Sequence, residues 1–224
     1  MDFSTNAWKG QTARPRTGQE ARTPTLMNLP NQLTLIRFGL TAAFAGVLET
    51  DWSFRCTSGL VLFVVASITD YADGAIARKR GLVTDFGALM DPLVDKILIA
   101  TALISLSAIP FQGKPALPAW VSIVVIGREF LITGLRQLAA AKGCVISADR
   151  WGKHKTVWQI AVILYFFVLL SLEELAASSA GWSLARGEHG WVLVGRGIAA
   201  VALLLTLGSG LGYLWRNRAL IADR

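Results

Sequence analysis

The sequence predicts an all-α membrane protein: a bundle of six transmembrane helices with both chain ends on the cytoplasmic side. Three observations predict it. The 224 residues are 53% hydrophobic, at a mean hydropathy of +0.49, and that apolar content is gathered into blocks. Six blocks are long and apolar enough to cross a hydrocarbon core, which takes roughly 20 helical residues. Basic residues fall in alternate connections, as the positive-inside pattern requires.

The spans are placed near Leu33–Leu48, Ser58–Ala77, Gly87–Ile109, Leu117–Ala140, Thr156–Leu172 and Val192–Leu214. Stretches such as Ile160–Leu172 and Ile198–Leu207 lack the polar face that a water-soluble bundle needs. An even number of spans puts both ends on one side. That side holds Lys9, Arg14, Arg16 and Arg22, then Arg78, Lys79 and Arg80, then Lys142, Arg150, Lys153 and Lys155, and finally Arg216, Arg218 and Arg224. The other side carries Arg55, Lys114 and Arg186 against Glu49, Asp51, Glu173, Glu174 and Glu188. The net charge of +7 is therefore read as a topology signal suited to anionic lipid headgroups, and no nucleic-acid partner is expected.

Residues 1–26 read as a flexible polar tail and 27–224 as one membrane domain. The first 32 residues have no apolar core, so no cleavable secretory signal is expected. Asn28-Leu29-Pro30-Asn31 reads as a helix start, with Asn31 able to cap the first helix. Phe111–Pro118, with Gly113 and two prolines, reads as a tight turn outside the membrane. Cys56 and Cys144 fall near opposite faces, which argues against a disulfide.

Ionisable residues within spans are costly and mark function. Here they are Asp70, Asp73, Asp91, Asp95, Arg128, Glu129 and Arg136. At helical spacing Asp70, Asp73, Gly74 and Ala77 share one face of the second span, and Gly87, Asp91 and Asp95 one face of the third. The short connection between these spans makes them antiparallel neighbours. Four carboxylates gathered in a low-dielectric setting need compensating cations, or some would take up protons. Hard oxygen donors favour Mg²⁺, Mn²⁺ or Ca²⁺. Two such ions ~3.5–4 Å apart serve phosphoryl transfer. Gly74, Ala77 and Gly87 leave room for a bulky group, and Arg78 can donate charge-assisted hydrogen bonds to phosphate. A divalent-cation transporter also gathers aspartates, but it has no need of the interleaved Gly74, Ala77 and Arg78.

The pattern D-x2-D-G-x2-A-R-x8-G-x3-D-x3-D, which runs from Asp70 to Asp95, resembles the signature of the CDP-alcohol phosphatidyltransferase family without a departure. The resemblance implies a six-helix, usually homodimeric membrane enzyme that uses Mg²⁺ or Mn²⁺, with two ions expected. It implies that Asp70 and Asp91 bridge both ions, that Asp73 binds one and Asp95 the other, and that Asp95 is also the catalytic base. It further implies a CDP-diacylglycerol site that includes Asn31, Thr34, Gly74, Arg78 and Thr84.

On the acceptor side, Glu129, Thr133 and Arg136 fall on one face of the fourth span. Arg136 with Lys153 or Lys155 would make a basic pocket facing the cytoplasm, suited to a small acceptor that already carries phosphate. Thr133, Arg136, Lys153 and Lys155 are the candidate acceptor-phosphate residues. For Arg128 and Glu129, an ion pair within the bundle and a direct substrate contact are both open. Asn28–Thr34, Arg128–Arg136 and Gly152–Thr156 resemble the branch of the family that uses sn-glycerol 3-phosphate. Inositol phosphate and phosphatidylglycerol are the alternatives within the family. The implied location is the bacterial inner membrane, multi-pass, with the active site facing the cytoplasm.

Overall fold

The computed structural model describes residues 29–80, 85–141, 151–178 and 189–218. Within these, the side chains of 29–34, 70–80, 85–92, 95, 141, 151–154 and 189 lie outside the description. Six helices make up nearly all of it: α1 (Leu29–Leu48), α2 (Arg55–Arg80), α3 (Asp85–Ala108), α4 (Ala119–Ala141), α5 (Trp151–Ser178) and α6 (His189–Arg216). Each holds all or nearly all of one of the six apolar blocks. Among the described residues, two helices include a stretch long and apolar enough to cross a membrane, Lys155–Ser178 in α5 and Gly190–Arg216 in α6. Shorter apolar stretches lie in α1, α2 and α3.

Several helices run past their apolar blocks, because backbone hydrogen bonding does not stop where apolar composition stops. α5 takes in Trp151–Lys155 at one end and Glu173–Ser178 at the other, segments that lie beyond the apolar block itself. α1 begins at Leu29, so Asn31 lies inside the first turn rather than at the cap. Pro30 is compatible with that, since first-turn N–H groups have no intrahelical acceptor. The turn between α3 and α4 is a small hairpin in which β1 (Pro110–Phe111) pairs antiparallel with β2 (Lys114–Pro115). Its two central residues, Gln112 (φ 52°) and Gly113 (φ 77°), both have positive φ, as a hairpin turn twisted to match its strands requires.

The core is built where α1, α2, α3 and α5 meet. Phe44 from α1 packs against Phe63 of α2 at 6.0 Å between ring centroids and against Phe167 of α5 at 5.6 Å. Leu98, Ala102 and Leu106 present one face of α3 to this cluster. By contrast, Ile123, Leu193, Leu204 and Leu211 point outward, an apolar exterior that only a nonaqueous surrounding would cover favourably. Several buried hydroxyls are satisfied along the helices themselves. Thr41 donates to the Arg37 carbonyl, Ser171 to Phe167 and Thr206 to Ala202. This is the usual solution where water is scarce. Ser122 of α4 reaches across to the Leu103 carbonyl of α3 at 2.9 Å.

Two contacts fix how the helices sit against one another. At the end of α5, Glu174 accepts hydrogen bonds from the backbone N–H of Cys56 (2.7 Å) and Thr57 (2.8 Å) and from the Thr57 hydroxyl (2.8 Å). It thereby satisfies first-turn donors of α2 from a distant helix. That anchors α2, whose opposite end bears Asp70 and Asp73. Between α5 and α6, Gly195 lets the backbones approach: an added Cβ would lie 2.6 Å from Phe166 Cζ and 2.8 Å from Tyr165 Cε1. Phe166 is fully buried and has no room to retreat. Gly195→Ala is therefore expected to destabilise the bundle by about 1–3 kcal/mol, read as a drop of several degrees in the melting temperature of the detergent-purified protein. An unchanged Tm would mean the two helices do not pack this closely.

Candidate active site

The helical backbone is unbroken through both aspartate pairs, Asp70 and Asp73 on α2 and Asp91 and Asp95 on α3. Residues three or four apart occupy one side of a helix. α2 touches α3, and α1 packs against both, so the helix bearing Asn31 and Thr34 borders both aspartate helices. The side chains of Asn31, Thr34, Asp70, Asp73, Gly74, Arg78, Asp91, Asp95 and Lys153 lie outside the described residues, as does Thr84 altogether. Among the described side chains there is no cluster of three or more groups able to hold a metal ion. The fit of a metal therefore rests on donor chemistry. Four aspartates on two neighbouring helices would supply an all-oxygen donor set, of the kind that suits Mg²⁺ or Mn²⁺.

Among the described side chains, a charge cluster joins four helices. Glu129 of α4 receives Lys96 of α3 at 3.1 Å, its neighbour Arg128 at 3.1 Å, and Lys155 of α5. Arg128 also donates to the Ser209 hydroxyl of α6 at 2.9 Å. The Lys155 side chain is 8% exposed, that of Arg128 11% and that of Glu129 15%, so little water screens these charges. Three cations around one carboxylate leave the cluster net positive, a setting that attracts an anion. A cavity of about 140 Å³ adjoins it, lined by Lys96, Ile99, Val125, Glu129, Phe130 and Gln159 among others.

Of the candidate acceptor residues, the structure brings Lys155 to Glu129. Thr133, one turn along α4, donates to the Glu129 carbonyl at 2.8 Å. Arg136, a further turn on, is exposed and lies over the ring of Tyr213 of α6, 5.4 Å from the centroid. The ion pair that the sequence allows for Arg128 and Glu129 is present. Arg37 is buried within the bundle. Lys96, adjacent to Asp95 in the sequence, pairs with Glu129. Sequence reasoning missed Ser209 and Tyr213, which lie in an apolar helix with no local motif to single them out.

A helical bundle bearing this aspartate pattern on adjoining helices defines a class, and comparison with known families agrees. The profile of the family described as CDP-alcohol phosphatidyltransferase matches residues 27–208, and the chain belongs to that membrane-bound family of transferases. Named relatives are more particular. A Bacillus subtilis (strain 168) protein called CDP-diacylglycerol–glycerol-3-phosphate 3-phosphatidyltransferase is 41% identical over 150 residues, 62% of this chain and 75% of its own. A probable phosphatidylglycerophosphate synthase of Mycobacterium tuberculosis (strain ATCC 25618 / H37Rv) is 36% identical over 219 residues, 96% of this chain and 94% of its own. A Rickettsia felis protein with the same name as the Bacillus one is 33% identical over 186 residues, 83% and 93% of the two chains.

Proposed function

We propose that this chain transfers the phosphatidyl group of CDP-diacylglycerol to sn-glycerol 3-phosphate, releasing CMP and forming phosphatidylglycerophosphate. The observation that carries the reading is likeness along nearly the whole chain to a relative named for that product. The net-positive cluster on α3, α4 and α5 supports it, since it suits an acceptor that already bears a phosphate.

In this reading Asp70, Asp73, Asp91 and Asp95 would together hold two Mg²⁺ or Mn²⁺ ions. When bound, such ions neutralise charge on the pyrophosphate and orient it. Asn31, Thr34, Gly74 and Thr84 line the CDP moiety, and Arg78 donates hydrogen bonds to its phosphate oxygens. Asp95 takes the proton from the acceptor hydroxyl. The hydroxyl oxygen bonds to the lipid-side phosphorus as the bond from that phosphorus to the CMP oxygen breaks, and CMP leaves with the electron pair. Thr133, Arg136, Lys153 and Lys155 belong to the acceptor-phosphate side. Lys155 keeps Glu129 as its resting partner and adds to the positive potential there. Six spans, both ends in the cytoplasm, a homodimeric state and a bacterial inner-membrane location with the site facing the cytoplasm complete the proposal. The charge asymmetry of the connections supports the orientation.

The test is to supply purified protein with CDP-diacylglycerol, Mg²⁺ and labelled glycerol 3-phosphate, with inositol phosphate, phosphatidylglycerol and serine as parallel acceptors. CMP release with labelled phosphatidylglycerophosphate is expected. Release with inositol phosphate or phosphatidylglycerol alone would overturn the acceptor, and no release with any acceptor would overturn the activity. Arg136→Ala is expected to raise the KM for glycerol 3-phosphate about tenfold or more, the worth of a charged hydrogen bond, with the KM for CDP-diacylglycerol little changed. An equal rise in both would remove Arg136 from the acceptor side.

A further inference from the structure

Tyr213, near the end of α6, is 4% exposed. Its hydroxyl is buried with no hydrogen-bond partner among the described residues. A buried tyrosine hydroxyl ordinarily finds a partner, and an unsatisfied one costs stability. The face of the same ring carries the Arg136 guanidinium at 5.4 Å, within the range of a cation–π contact.

This juxtaposition comes from how α4 and α6 meet. One turn before Tyr213, Ser209 accepts a hydrogen bond from Arg128. At Gly210 an added Cβ would come within 3.0 Å of Arg128 Cγ and Nε, so glycine permits the close seam. With the helices held there, the Tyr213 ring supports Arg136, whose long side chain otherwise samples many rotamers.

We propose that Tyr213 is a further acceptor-binding residue, its ring holding Arg136 in place and its hydroxyl donating a hydrogen bond to a phosphate oxygen of the acceptor. The inference rests on the reading of Arg136 as an acceptor-phosphate ligand. It assigns α6 a part in acceptor binding and gives the orphaned hydroxyl a partner when substrate is present. A purely structural tyrosine would show the opposite pattern, with its hydroxyl bonded in the substrate-free protein.

The experiment compares wild type, Tyr213→Phe and Tyr213→Leu as full-length, detergent-purified protein. The KM for each substrate and the Tm without substrate are measured. Tyr213→Phe keeps the ring and loses the hydroxyl. It is expected to raise the KM for glycerol 3-phosphate about tenfold, to leave the KM for CDP-diacylglycerol within about twofold, and not to lower the Tm. Tyr213→Leu, which also frees Arg136, is expected to raise the glycerol 3-phosphate KM further. An unchanged glycerol 3-phosphate KM in Tyr213→Phe, an equal rise for both substrates, or a lowered Tm without a selective KM change would each overturn the inference while an active wild type left the proposed activity standing. A wild type inactive with glycerol 3-phosphate would overturn both.

Discussion

Asp95→Asn is expected to lower kcat by roughly 10²–10⁴-fold, the usual worth of a positioned general base, while CDP-diacylglycerol still binds. Asparagine keeps the size of the side chain and an oxygen donor, but it cannot take a proton from the acceptor hydroxyl. The predicted signature is loss of CMP release at saturating substrate, with CDP-diacylglycerol binding retained in a titration. Ordinary turnover would remove Asp95 as the base. Loss of CDP-diacylglycerol binding together with turnover would instead make its role one of holding the site together. Asp95 is adjacent in sequence to Lys96, and Lys96 is tied to Glu129. The helix that carries the proposed base is therefore braced by α4.

Glu129→Ala is expected to produce the largest loss of stability. It leaves Lys96, Arg128 and Lys155 facing one another without their shared carboxylate, and the Arg128 and Lys155 side chains are only 11% and 8% exposed. Removing one partner of a buried ion pair costs about 3–5 kcal/mol, because the charge left behind stays desolvated and unpaired. For a chain of this size that corresponds to a Tm decrease on the order of 10 °C. Glu129→Ala combined with Lys155→Met should recover part of the loss, since the replacement leaves one fewer stranded cation. A single variant as stable as wild type, or a double variant less stable than the single, would contradict the central role of Glu129 in the cluster.

The parts of this molecule legible in its sequence are those fixed by local periodicity. Six apolar blocks correspond to six helices, and the spacing of Asp70 with Asp73 and of Asp91 with Asp95 needs only an unbroken helix to place each pair on one side. Helix ends are less legible. Trp151–Lys155 joins α5 although its composition is polar, and Leu29 opens α1 ahead of Asn31. The hairpin at Pro110–Pro115 depends on positive φ at Gln112 as well as Gly113, which the residue types alone do not announce.

Least legible are contacts made between distant positions. Glu129 draws partners from 33 residues before it and 26 after it, so no local pattern could choose among Lys153, Lys155 and Lys96. Glu174 caps α2 at Cys56, 118 residues earlier in the chain. Tyr213 stands in a helix whose composition says only that it is apolar, and its nearness to Arg136 comes from the α4–α6 seam. Such contacts are products of packing.

The most direct measurement is manganese binding followed by electron paramagnetic resonance on purified protein, with wild type compared against Asp70→Asn and Asp91→Asn. The expected result is two Mn²⁺ ions per chain in wild type, close enough to couple magnetically, with the coupled pair lost in each variant. Wild type that binds no Mn²⁺, or variants that bind it as wild type does, would contradict the claim that α2 and α3 together hold the metal site.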